Sequence, residues 1–336
     1  MFKKIILNFF FFLPAWFFEF IGIFNKTVSR GHVLDSQTKI FINFIPTKDL
    51  DEIVNIDIPR IRSSYETRAS FISTVARPIQ SILFEDIQIG QSKLRVRKYL
   101  PSKSRTNKSI LYFHGGGYAF GSIETHHELL MYYSAYLGAE IYSLDYSLSP
   151  ENKFPIALDD AMTSYEWLLN SGILPKNISL CGDSAGGHLA ASLSYKLSQD
   201  NLPLPDSQLL IYPMISPGCE TESFKLFESN YFLTASNMRW IWKKLSDNNV
   251  NNNNPCFDLL TGVFQKDKFP KSIIVTAGFD PLCDEAEKYA YLLHQKHINI
   301  HQLHYPSLIH GFASMSKLKK AKLAVDNFLD EYKKIL

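Results

Sequence analysis

The chain has 336 residues, 46% hydrophobic and 20% charged, which fits one large or two small globular domains and excludes collagen-like, coiled-coil and wholly disordered architectures. Its 35 Lys and Arg nearly balance 33 Asp and Glu, for a net charge of +2, and no basic stripe interleaved with aromatics is present, so nucleic acid is not an expected partner. Four cysteines (Cys181, Cys219, Cys256, Cys283) lack metal-type pair spacing and require neither disulfides nor zinc.

Much of the aromatic excess sits in residues 1–26, MFKKIILNFFFFLPAWFFEFIGIFNK. Lys3 and Lys4 precede a run over 5–24 in which 16 of 20 residues are apolar, and a helix of about 20 residues matches a bilayer's hydrocarbon thickness. A membrane-spanning anchor is the first reading. Asn8, Pro14 and Glu19 interrupt the run, and Lys4, Asn8, Ala15, Glu19, Gly22 and Lys26 fall near one narrow helical stripe. That pattern suits a helix lying in the membrane interface. A helix packed on the protein's own core and a cleaved signal are the remaining alternatives, although no small-x-small cleavage site follows. Residues 1–26 are thus expected to associate with a membrane, on a side the flanking charges leave open.

Residues 27–80 are weakly periodic, punctuated by Pro46, Pro59 and Pro78. From 81 onward the pattern sharpens. Strands are predicted over 81–89 and 93–99, paired through the turn at Gly90, then over 109–113, 140–144, 178–181, 208–211, 272–277 and 299–305. Helices are predicted over 125–137, 155–170, 185–198, 234–245, 284–295 and 317–333. Short apolar strands between amphipathic helices imply an α/β fold with a mostly parallel sheet covered on both faces. Between 211 and 272 no core strand is predicted. This insertion, about 213–270, carries Tyr231, Phe232, Trp240 and Trp242, ends in an Asn-rich stretch over 247–254, and reads as a lid over the sheet's carboxyl edge.

The string Gly182-Asp183-Ser184-Ala185-Gly186-Gly187 follows a predicted strand and opens a predicted helix, the context of a nucleophile elbow. Small residues are needed there because the turn is strained and crowded. Ser184 is therefore the candidate nucleophile, at a helix N-terminus that favours developing negative charge. Upstream, His114-Gly115-Gly116-Gly117 follows the strand over 109–113. Its glycines can turn backbone N–H groups toward one point, so Gly116, Gly117 and Ala185 are the candidate oxyanion donors. His114 is expected to shape this loop rather than act as a base.

A serine hydroxyl needs a base, and the base an orienting acid, which in this fold follow in the order Ser, Asp or Glu, His. Asp280 and His310 each follow a predicted strand and complete that order, with Asp284 as the rival acid at a helix N-cap. The histidines His294, His297, His301 and His304 could suggest a metal cluster. However, His301 and His304 point to opposite strand faces and no acidic partner falls at ligand spacing, so no metal site is expected. His126 and His127 could border the pocket. Tyr118 and the aromatic residues of the insertion suggest an apolar acyl pocket.

Together these residues resemble the hormone-sensitive-lipase-like family of α/β-hydrolases. The blocks are Tyr112-Phe113-His114-Gly115-Gly116-Gly117-Tyr118 with Gly121-Ser122 and Thr125-His126, then Asp145-Tyr146-Ser147-Leu148-Ser149-Pro150-Glu151 with Phe154-Pro155. They continue with the 182–187 block, Asp280-Pro281-Leu282-Cys283-Asp284-Glu285 and His310-Gly311-Phe312. The chain departs where the family usually carries Arg, Ala and Arg, having Ser147, Ser149 and Cys283. The resemblance implies carboxylester hydrolysis with no cofactor, a catalytic domain over 81–336, and a cap built from the region 27–80 plus the insertion. A small-molecule ester is the implied partner, and the oligomeric state stays open. Acyl transfer through the same residues and non-catalytic ligand binding on the same scaffold are the alternative functions.

Overall fold

The computed structural model describes residues 10–23, 26–43, 57–72, 82–91, 93–246 and 254–336. Ten strands occur in chain order among them: β1 Val28–Ser29, β2 His32–Val33, β3 Ile82–Ile89, β4 Leu94–Pro101, β5 Ser109–Phe113, β6 Glu140–Leu144, β7 Ile178–Asp183, β8 Ser207–Ile211, β9 Lys271–Phe279 and β10 Ile300–Ile309. The last eight form one sheet in the order β10-β9-β8-β7-β5-β6-β4-β3. β3, β4 and β6 pair antiparallel, and every pair from β6 through β10 is parallel.

Parallel strands buried on both faces read as continuous apolar runs, and their side chains alternate between two cores. On β5, Leu111 and Phe113 join the cluster that holds Leu189 and Leu158, whereas Ile110 and Tyr112 join the one that holds Leu130 and Phe328. Helices Ile156–Asn170 and Ala185–Gln199 cover the first face; Ile123–Leu137 and Lys319–Lys333 cover the second. Each fully buried Leu, Ile or Phe contributes roughly 1.5–3 kcal/mol. The predicted α/β architecture and its strand order along the chain agree with this sheet.

The region 27–80 divides in two. Residues 26–43 pack beside β10 and the last helix, where Asp35 N donates to Ser307 O at 2.9 Å and Gln37 Oε1 accepts from Lys319 N at 3.0 Å. Asp35 also caps the helix Ser36–Asn43 by accepting from Thr38 N and Oγ1. Among the region's described residues, the helix Ile58–Ile72 is the part that lies over the sheet's carboxyl edge. Its Arg62 donates to Ala119 O and Ser149 O, both at 2.9 Å, and pairs with Glu151. In the insertion, the helices Glu222–Leu226 and Ala235–Leu245 cover that same edge; most of the Asn-rich stretch lies outside the described residues.

The apolar N-terminal run is not one continuous helix over its described part. Pro14 precedes the nine-residue helix Ala15–Ile23, and Phe10 and Phe18 are buried against each other at 4.8 Å beside Phe41. Residues 1–9 of the expected anchor lie outside the described residues. Among the described residues, no helix is long and apolar enough to cross a membrane.

Candidate active site

Parallel pairing brings the ends of β5, β7, β9 and β10 to one edge, and chemistry-bearing side chains follow each of those strands. Ser184 follows β7 directly, with Phe113 opposite Gly182 in register. Its backbone is held at φ 55°, ψ −117° by Ser184 N donating to Ile211 O at 2.8 Å and Ser184 O accepting from Met214 N at 3.1 Å. A non-glycine residue in that region stores strain, which the neighbouring strands impose. The turn aims Oγ across the sheet edge at the helix N-terminus.

His310 Nε2 lies 3.0 Å from Ser184 Oγ, and His310 Nδ1 lies 2.8 Å from Asp280 Oδ2. The second Asp280 oxygen accepts from Leu282 N at 2.9 Å, and the carboxylate is fully buried. A carboxylate oxygen accepting at Nδ1 fixes the proton there, which leaves Nε2 free to accept from the serine hydroxyl. The rival Asp284 is elsewhere: it pairs with Arg30 at 2.5 Å and accepts from Ser223 N at 2.8 Å. So the structure brings Ser184, His310 and Asp280 together and leaves Asp284 out.

The oxyanion loop folds against the elbow through Asp183. Asp183 Oδ1 accepts from Gly115 N at 2.8 Å and Tyr112 Oη at 2.7 Å, and lies 3.2 Å from His126 Nε2. Burial alone would raise the Asp183 carboxyl, but His126 and these donors hold it below the ordinary carboxylate range. Gly116 adopts φ 122°, and a Cβ there would lie 2.1 Å from Phe120 O, so only glycine makes this turn. The N–H groups of Gly116, Gly117 and Ala185 donate to no other group among the described residues, and Gly116 and Gly117 line the same cavity as Ser184 and His310.

His114 sits behind the loop as expected. Its ring stacks on Tyr146 at 4.3 Å, Nδ1 is 2.8 Å from Gly115 O, and burial pushes its pKa down to about 4. One expectation fails. Tyr118 does not line the cavity: at φ 58° its ring turns inward, and its hydroxyl meets His188 Nδ1 at 2.7 Å. His188 Nε2 faces Phe257 O at 3.1 Å, so Nε2 carries the proton and Tyr118 donates to Nδ1. Burial holds His188 neutral, its pKa down to about 4. Of the paired histidines, His126 borders the cavity, whereas His127 faces Tyr99 and Arg97.

The cavity over Ser184 has a volume of about 190 Å³. Part of its wall comes from the predicted lid, Phe232, Leu233, Met238 and Ile241, and the rest from residues that periodicity did not single out, Ile61 and Tyr65 of the helix Ile58–Ile72 and Met315. His304, which the sequence left without an acidic neighbour, lies 3.3 Å from Glu287 of the helix Cys283–Gln295.

The fold is shared with known proteins. A family model described as alpha/beta hydrolase fold matches residues 110–314. An ethyl acetate hydrolase of Pseudomonas putida is 30% identical over 67% of this chain and 73% of its own. An arylesterase of Saccharolobus solfataricus is 30% identical over 67% of this chain and 75% of its own. The solved structure of a hyperthermophilic esterase from Pyrobaculum calidifontis superposes with a TM-score of 0.79 at 27% identity, over 90% of this chain and 98% of that one. The chain belongs to the hormone-sensitive-lipase-like family of α/β-hydrolases and is a carboxylic ester hydrolase.

Proposed function

We propose that Ser184 is the nucleophile, His310 the general base and acid, and Asp280 the residue that orients the imidazole. Ser184 Oγ attacks the ester carbonyl as its proton passes to His310 Nε2, and the tetrahedral oxyanion is met by the N–H groups of Gly116, Gly117 and Ala185. His310 then gives that proton to the departing alcohol, leaving an acyl-enzyme that water cleaves by the same steps. The observation that carries this reading is the Ser184–His310–Asp280 contact chain at 3.0 and 2.8 Å.

The helix Ile58–Ile72 and the insertion form the cap, and they set the acyl preference. The cavity is smaller than the ~300–1,000 Å³ typical of sites for drug-sized ligands, and Ile241 closes it against Gly117. Short to medium acyl chains are therefore the substrates. With nitrophenyl esters from acetate to palmitate, kcat/KM will peak at or below the medium chains. Ile241→Ala will move the peak toward longer chains by roughly tenfold in relative kcat/KM, the scale on which methylene-sized pocket changes act. A palmitate optimum in the unaltered protein would overturn this assignment. Transfer to added alcohols in preference to water would favour acyl transfer, and binding without turnover would favour a receptor.

The N-terminal helix adds a membrane-surface role. Trp16 and Phe20, four residues apart on the helix Ala15–Ile23, are 67% and 60% exposed, and Phe12, before the break at Pro14, is 86% exposed, while Phe10 and Phe18 face the protein. A helix with one aromatic face packed and the other open suits lying in a bilayer interface. Sedimentation with phospholipid vesicles will retain the intact protein, and Trp16→Ser with Phe20→Ser will lower retention by about tenfold or more. Equal retention of the double variant would overturn this placement.

A further inference from the structure

A second cluster of reactive side chains lies behind the acid turn, apart from the cavity. Cys283 and Glu287 are four residues apart on one face of the helix Cys283–Gln295, and His304 reaches them from β10. Cys283 Sγ is 3.5 Å from Glu287 Oε1, and His304 Nδ1 is 3.3 Å from that same oxygen. All three donor atoms lie within 4.8 Å of one another. Zinc takes S, N and O ligands at about 2.0–2.3 Å, so the edges of its ligand tetrahedron are about 3.3–3.8 Å long. Both measured separations match that edge. The donors are also of three different kinds on two elements, which a surface carboxylate cluster would not provide.

A fourth donor is at hand. His32, on the hairpin of β1 and β2, is exposed and has its ring centroid 6.2 Å from that of His304. The hairpin is already held at this spot by Arg30, which pairs with Asp284 next to Cys283.

We propose that Cys283, Glu287, His304 and His32 form a binding site for a zinc-class divalent cation. On binding, the Cys283 thiol proton passes to solvent and the thiolate coordinates the ion. His304 Nδ1 exchanges its contact with Thr276 Oγ1, now 2.9 Å, for the metal. The ion ties together the helix that follows the catalytic acid, the edge strand β10 and the N-terminal hairpin. Cys283 N donates to Asp280 O at 3.1 Å, so the site braces the turn that presents Asp280 to His310. The role is structural, since no ligand faces the cavity over Ser184.

The test is titration of the full-length, chelator-treated protein with Co²⁺, which reports four-coordinate thiolate sites by its visible bands and a near-ultraviolet sulfur-to-cobalt band. One equivalent is expected to bind with both signatures, and Zn²⁺ is expected to displace it. Cys283→Ser will abolish the sulfur band, and Glu287→Gln and His304→Gln will each weaken binding by at least the roughly 10–100-fold that even outer-shell changes cost. Far-ultraviolet circular dichroism and ester turnover verify that each variant is folded. Absence of stoichiometric Co²⁺ binding by the unaltered chain would overturn the proposal. So would a sulfur band that survives Cys283→Ser, because the thiolate would then be Cys181, Cys219 or Cys256. A folded His304→Gln variant that binds Co²⁺ as tightly as the parent would do the same.

Discussion

Ser184→Ala will lower kcat for ester hydrolysis by about four to six orders of magnitude while leaving the thermal midpoint within a few degrees. The magnitude follows from what the substitution removes and what it spares. Ser184 Oγ is the atom that His310 Nε2 approaches at 3.0 Å, and without it no acyl-enzyme can form. The N–H groups of Gly116, Gly117 and Ala185 remain, and donors of that kind sustain about 10³–10⁴-fold catalysis by themselves, which sets the floor. Stability changes little because alanine inherits the φ of 55° with the same Cβ and loses one hydroxyl that is 3.0 Å from an imidazole. KM will move far less than kcat, since Oγ contributes to the transition state rather than to ground-state binding. Single-turnover assay of the purified variant on a nitrophenyl ester checks the value. Residual turnover above about 1% of the parent would remove Ser184 from its assigned role, provided His310→Ala behaved the same way.

The parts of this molecule that sequence discloses are those governed by short-range rules. The strands Ser109–Phe113 and Ile178–Asp183 are buried throughout because both sheet faces are covered, and the largely apolar runs at 110–113 and 178–181 that this requires can be seen with little partner information. Ser184, Asp280 and His310 are legible for a related reason. Each lies just past a strand, and parallel order carries every such position to one edge. The lid's share of the cavity wall, Phe232 and the helix that carries Met238 and Ile241, is legible, but the share from the helix Ile58–Ile72 is not. Tyr65 and Ile61 lie on a helix of weak periodicity, and only its docking through Arg62 on Ala119 O and Ser149 O brings them over the site.

Tyr118 illustrates the complementary error. Adjacency to Gly117 gives nearness along the chain but not direction, and the positive φ at Tyr118 sends its ring to His188 instead of the substrate. Asp183 carries no signal of its own in the sequence, because the elbow motif is explained by Ser184 and the small residues around it. Yet its carboxylate is what joins the elbow to Gly115 of the oxyanion loop. The i, i+4 spacing of Cys283 and Glu287 is visible in the sequence, but His304 joins them only through the packing of a strand on a helix.

Gly186→Ala will destabilise the protein by about 3 kcal/mol or more, although Gly→Ala within a helix ordinarily stabilises by about 1 kcal/mol. The two effects have opposite signs, and distance decides between them. A Cβ built on Gly186 falls 1.9 Å from Phe113 O, 2.5 Å from Phe113 C and 2.7 Å from His114 O. All three are backbone atoms, so no rotamer change relieves the contact. Phe113 cannot retreat either, because β5 is paired on both sides, to β6 and to β7, and both faces are buried. Relief would require the helix Ala185–Gln199 to move off the sheet, uncovering Leu189 and Leu193 and displacing Ser184 from His310. Activity and stability are thus expected to fall together, unlike the separation expected of Ser184→Ala. Gly218→Ala is the matched control: its nearest contact would be Ser216 Oγ at 3.8 Å, and its expected change is within about 0.5 kcal/mol. Urea unfolding of the three proteins measures both. A Gly186→Ala midpoint at or above the parent's would mean that β5 and this helix are not in the close contact that lets the elbow project its serine.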